Sequence, residues 1–270
     1  MAQDLRVTLL GTGTPNPNPA RAGASYLFHA GDFPFLIDCG PGALLRLTQS
    51  GKNPADIDHV FFTHFHLDHY ADFGQFVVAR WMRGTSKPLK VYGPEGLKKL
   101  VDLIMASLTR DIGYRQAIRT TNPEPPVIEA VEIEQGFAFE HLGLSVRPFD
   151  VKHFPIEQPF GYRVETAERK IVFSGDTCPT ENLIRHARDA DVLIHECVEF
   201  ENWNAIGIEP GHKSLAHTDP GLLGDIATQA KVGACVTTHM LSTSRPDNLH
   251  RIIRQDYSGT LIIGQDLMTL

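Results

Sequence analysis

One short segment, Thr63-His64-Phe65-His66-Leu67-Asp68-His69, puts three imidazoles and a carboxylate within six positions. Any fold for this chain has to supply partners for them, because a buried imidazole or carboxylate left unpaired is costly. His64 and His66 stand two apart, so an extended segment directs both to the same side. Asp68 and His69 are adjacent and must diverge. A loop between a strand at 59–63 and a following helix permits that, and two of the residues can then serve one cation while two serve another. Imidazole nitrogen and carboxylate oxygen are donors that zinc takes at about 2.0–2.2 Å. The bland alternative is a solvated histidine-rich loop. The aromatic and apolar residues around the segment weigh against it.

Two cations need more than four ligands, and the sequence offers others at the ends of apolar runs. Leu144–Val151 leads to His153, and Lys170–Phe173 leads to Asp176 in Ser-Gly-Asp-Thr. Val192–Ile194 leads to His195-Glu196, and Cys235–Thr238 leads to His239. A ligand just past a strand end is held by rigid backbone at one edge of a sheet. His141 competes with His153, but it lies in Phe139-Glu140-His141-Leu142-Gly143, which reads as a turn. Asp38 reads either as an acceptor that orients a ligand imidazole or as an ordinary turn aspartate. His212 reads as a loop histidine. Ser174 and Ser214 lack a Ser-His-Asp order once the histidines are given to metal. Gly11-Thr12-Gly13-Thr14-Pro15-Asn16 fits neither a dinucleotide fingerprint nor a P-loop, and reads as a tight turn beside the site.

Along the chain, short apolar runs alternate with stretches of helical spacing. Strands are expected at 6–10, 25–28, 35–38, 59–63, 144–151, 161–164, 170–173, 192–194, 235–238 and 261–263. Helices are expected at 42–50, 72–82, 95–108, 180–188, 219–230 and 247–255. Residues 109–135 are polar and contain proline, and they are expected to form an irregular insertion, a candidate lid. The pattern predicts an α/β fold of stacked sheets covered by helices. With 270 residues, of which 42% are hydrophobic, a sizeable core is available. A formal net charge of -7 gives no global field toward nucleic acid. The start, MAQDLRVTLLGTG, carries an early acid and only a short apolar run, so no signal peptide is expected. No apolar run approaches about 18 residues, so no membrane span is expected. Cys39, Cys178, Cys197 and Cys235 lie far apart and predict free thiols in a cytoplasmic protein.

His64-x-His66-x-Asp68-His69, with His153, Asp176 and His239 downstream, resembles the metallo-β-lactamase superfamily. The resemblance runs from Leu10-Gly11-Thr12-Gly13 through Leu36-Ile37-Asp38-Cys39-Gly40 to the last strand. It implies a four-layer αββα sandwich over 1–270 as one domain, with the site at a sheet edge. It further implies one zinc on His64, His66 and His153 and another on Asp68, His69 and His239. Asp176 bridges them, a hydroxide is shared between them, and Mn2+ or Fe2+ are the alternative metals. Asp176 in the bridging position argues against the β-lactamases proper. His66 argues against the flavodiiron oxidoreductases, which have Glu there. Gly11–Pro15 with Arg21 and Ser25, His195-Glu196, and Ala216-His217-Thr218 look like motifs of the branch that holds tRNase Z and the zinc arylsulfatases and phosphodiesterases. By that analogy His217 protonates the leaving oxygen and Glu196 holds it, and with Asp68 they form the expected catalytic set. tRNase Z carries a long tRNA-gripping arm between the regions matching Tyr162 and Ser174. Arg163–Phe173 leaves room only for a hairpin, so tRNA is a doubtful substrate. The expected partner is a small phosphodiester or sulfate ester. Hydrolysis of a lactone, thioester or β-lactam on the same metals is the first alternative. A non-catalytic metal-binding protein and a metal-dependent oxidoreductase follow. Relatives in this branch are often dimers, so a homodimer is expected.

Overall fold

A computed structural model describes residues 4–119, 124–199 and 215–270. His212 and Ser214 lie outside them. The first half of the chain gives β1 (Leu5–Gly11), β2 (Ser25–Ala30), β3 (Phe33–Cys39), α1 (Ala43–Gln49), β4 (His59–Phe61), α2 (Leu67–Tyr70) and α3 (Phe73–Met82). It continues through β5 (Leu89–Gly93), α4 (Leu97–Gln116) and β6 (Ile128–Glu132). The second half gives β7 (Phe139–His141), β8 (Leu144–Asp150), β9 (Phe160–Glu165), β10 (Lys170–Phe173), α5 (Glu181–Ala187) and β11 (Val192–Glu196). It ends with α6 (Pro220–Ala230), β12 (Ala234–Thr238), α7 (Pro246–Ile253) and β13 (Thr260–Ile263).

The strands form two sheets. One runs β1-β2-β3-β4-β5-β6, the other β13-β12-β11-β10-β9-β8-β7. Both are buried on two faces, and strict alternation along the strands sorts the side chains between them. In β10 and β11, Ile171, Phe173, Val192 and Ile194 face the inner core, which also takes Tyr26, Phe28, Phe35, Phe61 and Tyr162. Val172 and Leu193 turn the other way, against Leu183, Leu223, Ile226 and Leu249 of α5, α6 and α7. In the first sheet Leu36 and Val60 meet Leu47, Phe73, Phe76 and Val101 of α1, α3 and α4. Helix, sheet, sheet and helix therefore stack as four layers, as the resemblance implied.

Several stretches differ from the sequence expectation, among them β5, a strand at Leu89–Gly93 where none was expected. Within 109–135, α4 continues to Gln116 and β6 occupies 128–132, so an irregular insertion is not what the described residues form. No proline interrupts α4 before its end, and Asp111 and Arg115, one turn apart, pair at 2.7 Å. The segment Ile128–Glu132 hides its strand character behind two glutamates, Glu129 and Glu132, in an edge strand, yet it pairs in register with Leu89–Gly93. Phe139–His141 is a short strand, not a turn. By contrast, 160–173 is the expected hairpin, with Lys170 opposite Glu165 and Phe173 opposite Tyr162.

At one end the sheets are pinned together by buried hydrogen bonds. Phe160 N donates to Thr63 O at 2.9 Å. The Tyr162 hydroxyl donates to Phe62 O at 2.7 Å, and the Tyr26 and Thr238 hydroxyls meet at 2.6 Å. Tyr162→Phe removes one pin with almost no change of volume. It is expected to cost about 1 kcal/mol, read as a lower denaturant midpoint with an unchanged slope; an unaltered midpoint would refute the pin.

Candidate metal centre

The candidate residues gather at the end where the pins lie. β3 to β6 run parallel, as do β10 to β13, and ligand sites in such sheets form beyond the carboxyl ends of the strands. His64 stands three residues after β4, His153 three after β8, Asp176 three after β10, and His239 directly after β12. His66 is extended (φ -70, ψ 144) and caps α2, whose first turn carries Asp68 and His69. The divergence expected of that adjacent pair is thus made by a short helix.

The donor atoms fall into overlapping groups, each with atoms within 4.8 Å of one another: His64, His66, His153 and Asp176; Asp68, His69 and His239; Asp176, His217 and His239. His153 Nε2 lies 3.1 Å from His66 Nδ1. Asp176 Oδ2 lies 3.4 Å from His69 Nε2 and 3.2 Å from His239 Nε2. Asp68 Oδ2 lies 3.1 Å from His239 Nε2 and 3.6 Å from His69 Nε2. Ligands around a tetrahedral zinc ion stand about 3.3–3.6 Å apart, given bonds of about 2.0–2.2 Å, so these spacings fit a shared cation. His64 Nε2 and His69 Nε2 are buried, with no hydrogen-bond partner among the described residues, and each lies within 4.0 Å of Asp176 Oδ2. Such orphaned nitrogens are what a metal would satisfy.

His239 Nδ1 is likewise buried without a partner among the described residues, but the second ring nitrogens of His69, His64 and His153 are occupied. His69 Nδ1 meets Asp38 Oδ2 at 2.8 Å, which decides for the orienting role of that aspartate. Asp38 also accepts from Thr63 N at 2.9 Å and from the Thr63 hydroxyl, and that hydroxyl reaches His64 Nδ1 at 3.0 Å. His153 Nδ1 donates to Ala216 O at 2.7 Å. These bonds fix tautomer and ring orientation. Gly40 is required by closeness: a Cβ there would collide with Asp68 O. His239 and Asp38 both hold left-handed backbone, at φ 50 and φ 59, a conformation that bulky residues keep only where the surroundings enforce it.

Burial sets the charge states. It lowers the imidazoles of His64 and His66 and takes His153 down to about 4, which leaves them neutral with lone pairs to offer. His69 and His239 are also desolvated, but Asp176, with Asp38 for His69 and Asp68 for His239, outweighs burial and raises both. The carboxylates of Asp176, Asp68 and Asp38 thus draw positive charge into this half of the cluster, as protons on the imidazoles or as a cation in their place. Beside it, Glu196 at the end of β11 is fully buried, and burial pushes its carboxyl well above the usual range. It accepts from Thr177 N and pairs with His217 Nδ1, each at 2.9 Å. Burial takes His217 down to about 4. Its ring stands 4.8 Å from that of His153 and 5.7 Å from that of His239.

Other candidates lie apart. His195 bonds its neighbour's carbonyl, Glu196 O, at 2.7 Å. His141 closes β7 and stacks on Phe33 at 4.1 Å. Cys178 is a free, buried thiol, as are Cys39, Cys197 and Cys235. A cleft of about 870 Å³ opens beside His64, with Phe65, Glu95, Asp150, Ile156, Glu157 and Gln158 in its wall and no Lys or Arg among the described residues that line it. Thr63 and the Ala216 carbonyl escaped the sequence reading. A hydroxyl beside a histidine is too common to stand out, and a main-chain acceptor leaves no sequence signal.

An αββα sandwich with His/Asp clusters at the carboxyl ends of its strands is a scaffold for metal-dependent chemistry, and the relatives of the chain say which kind. The chain belongs to the β-lactamase superfamily domain family, whose model matches residues 34–240, within its tRNase Z-like branch. It is 35% identical over 248 residues to a Ribonuclease Z of Mycobacterium sp. strain KMS, covering 90% of this chain and 86% of that one. It is 33% identical over 271 residues to a Ribonuclease Z of Mycobacterium bovis BCG Pasteur, covering 97% and 96%. Its fold is similar to that of the metallo-β-lactamase fold protein YhfI from Bacillus subtilis, with a TM-score of 0.77 and 24% identity over 99% of both chains. The protein is a phosphodiesterase-like, metal-dependent hydrolase. No helix among the described residues is long and apolar enough to cross a membrane.

Asp38→Asn keeps the shape of the His69 partner and removes its charge. Metal affinity is expected to fall about 10–100-fold, measured by competition with a chromophoric chelator; an unchanged affinity would show that Asp38 does not tune the ligand.

Proposed function

We propose that the chain is a two-metal phosphodiesterase acting on small phosphodiesters, with sulfate esters as the related substrate class. Zinc is the metal that the donor set favours. His64, His66 and His153 would hold one ion and Asp68, His69 and His239 the other, with Asp176 close to donors of both groups. Two such ions supply Lewis acidity and a water activated near neutral pH.

The observation that carries the reading is the His217–Glu196 pair, 2.9 Å apart and in ring contact with two ligand histidines. Both groups are buried and resist net charge, so between them they hold one proton at no net charge. That proton is placed beside the donor cluster, where an expelled alkoxide would need it. Such help counts most for a poor leaving group and little for a ring-opened lactone. The cleft receives the organic part of the substrate. Its carboxylates, with no Lys or Arg among the described lining residues, disfavour a run of phosphates, because nucleic-acid affinity rests on cationic contacts to the backbone.

RNA is the second reading. It is favoured by the relatives named Ribonuclease Z, one of which aligns over 271 residues with 97% of this chain. An alignment of that length leaves no room for an arm-sized insertion, so the short 160–173 hairpin does not separate this chain from that relative.

Zinc-loaded protein should turn over a bis-aryl phosphate faster than a lactone and leave a 3′-extended structured RNA uncut. Cleavage of the RNA with the aryl phosphate untouched would reverse the order of the two readings. His217→Ala should lower kcat on the phosphodiester about 10²–10⁴-fold with the metal content unchanged. Loss of an ion in that variant would instead make His217 a ligand, a role its place in the third donor group allows.

A further inference from the structure

We propose that Asp266 is a positioning residue for one half of the metal centre, the Asp68–His69–His239 half, and that it acts through the loop joining β1 to β2. The proposal rests on the two-metal reading above.

Asp266 follows β13, and its side chain is 4% exposed. It holds both arms of the 12–22 loop at once. Oδ1 accepts from Thr12 N at 3.0 Å and from the Thr12 hydroxyl at 2.8 Å. Oδ2 accepts from Ala22 N at 2.7 Å and from Arg46 Nε, in α1, at 3.0 Å. Arg21 Nη1 locks the same point from the other side, donating to the Thr12 hydroxyl at 2.5 Å and to Gly264 O at 2.8 Å. The Thr12 hydroxyl thus receives from Arg21 and gives to Asp266. A carboxylate that takes four hydrogen bonds, one of them from a guanidinium, is a strong anchor.

Each arm of the loop leads to one ligand. Thr12 O accepts from Met240 N at 2.9 Å, and Gly13 and Met240 form an isolated parallel bridge. Met240 is the residue after His239, whose backbone stands at φ 50. This bridge is therefore the support next to the strained ligand. On the other arm Gly23 N donates to Pro41 O at 2.8 Å, and a Cβ on Gly23 would press on Pro41 and on Asp68 O. The loop lies against the main chain of Asp68 on one side and of His239 on the other, the two residues whose side chains meet at 3.1 Å. None of these bonds reaches His66 or His153. His153 is held by Ala216 O and by its own loop, where Ile156 N donates to His153 O.

The test uses the full chain in three backgrounds, titrated with Co2+ against a competing chelator and followed by its visible absorption. Wild-type protein is expected to take two equivalents. Asp266→Asn, and equally Thr12→Val, should weaken one of them at least tenfold, while Thr12→Ser, which keeps the hydroxyl, should titrate as wild type. In a His153→Ala chain, where the Asp68–His69–His239 half remains, Asp266→Asn should again weaken uptake at least tenfold. In a His239→Ala chain it should change nothing. An equal effect in both single-site chains would mean general loosening and would overturn the proposal, as would no effect in the His153→Ala chain. Wild-type uptake of a single equivalent would overturn the two-metal reading itself, and with it this assignment.

Discussion

The metal centre exists only while two sheets keep a fixed separation. Its donors are split between them: His64, His66, Asp68 and His69 hang from β4, and His153, Asp176 and His239 from β8, β10 and β12. Apolar packing between the sheets is strong but non-directional, and it would tolerate small slides that a ligand set cannot. The hydrogen bonds at Thr63 O, Phe62 O and Tyr26 supply the direction. They sit one to two residues from His64 and next to His239, so the polar groups buried in the inner core lie where register matters most. A buried hydrogen bond of this kind adds modest stability but specifies one arrangement.

Around that frame the same device recurs: a carboxylate placed behind an imidazole. Asp38 stands behind His69, and Glu196 behind His217. The two pairs differ in what they face. His69 turns its other nitrogen to Asp176 and Asp68, where a cation would satisfy all three. His217 lies at the border of the donor cluster, its ring near those of His153 and His239. One fold feature thus sets two imidazoles in different surroundings, the difference on which the proposed roles of ligand and acid rest.

The sequence made the donor set readable because its members end strands. The regular offset of His64, His153 and Asp176, each three residues past a strand, is the structural counterpart of apolar runs followed by an ionisable residue. The layers were legible for a similar reason: strands such as Ile171-Val172-Phe173 are apolar at every position, which only burial on both faces explains. Other features were not legible. β6 carries Glu129 and Glu132 among its five residues and lies half exposed at an edge, so its pattern resembles a polar loop. The length of α4 depends on solvent-facing residues, where propensity is weak evidence. Asp266 sits more than two hundred residues from the loop it holds, and nothing local marks a residue whose partners are distant main-chain amides.

β6 also carries a consequence for the behaviour of the protein in a crowded solution. The opposite border of its sheet, β1, is closed by the last residues of the chain, with Val7 and Leu270 exchanging backbone hydrogen bonds. β6 pairs on one side with β5, and no described strand takes its other side. Such an open row of amides and carbonyls invites association with any extended peptide. Glu132 is turned to Lys98 and the start of α4, but the exposed Glu129 puts a negative charge on the strand, the kind of side chain that discourages border-to-border pairing of two copies.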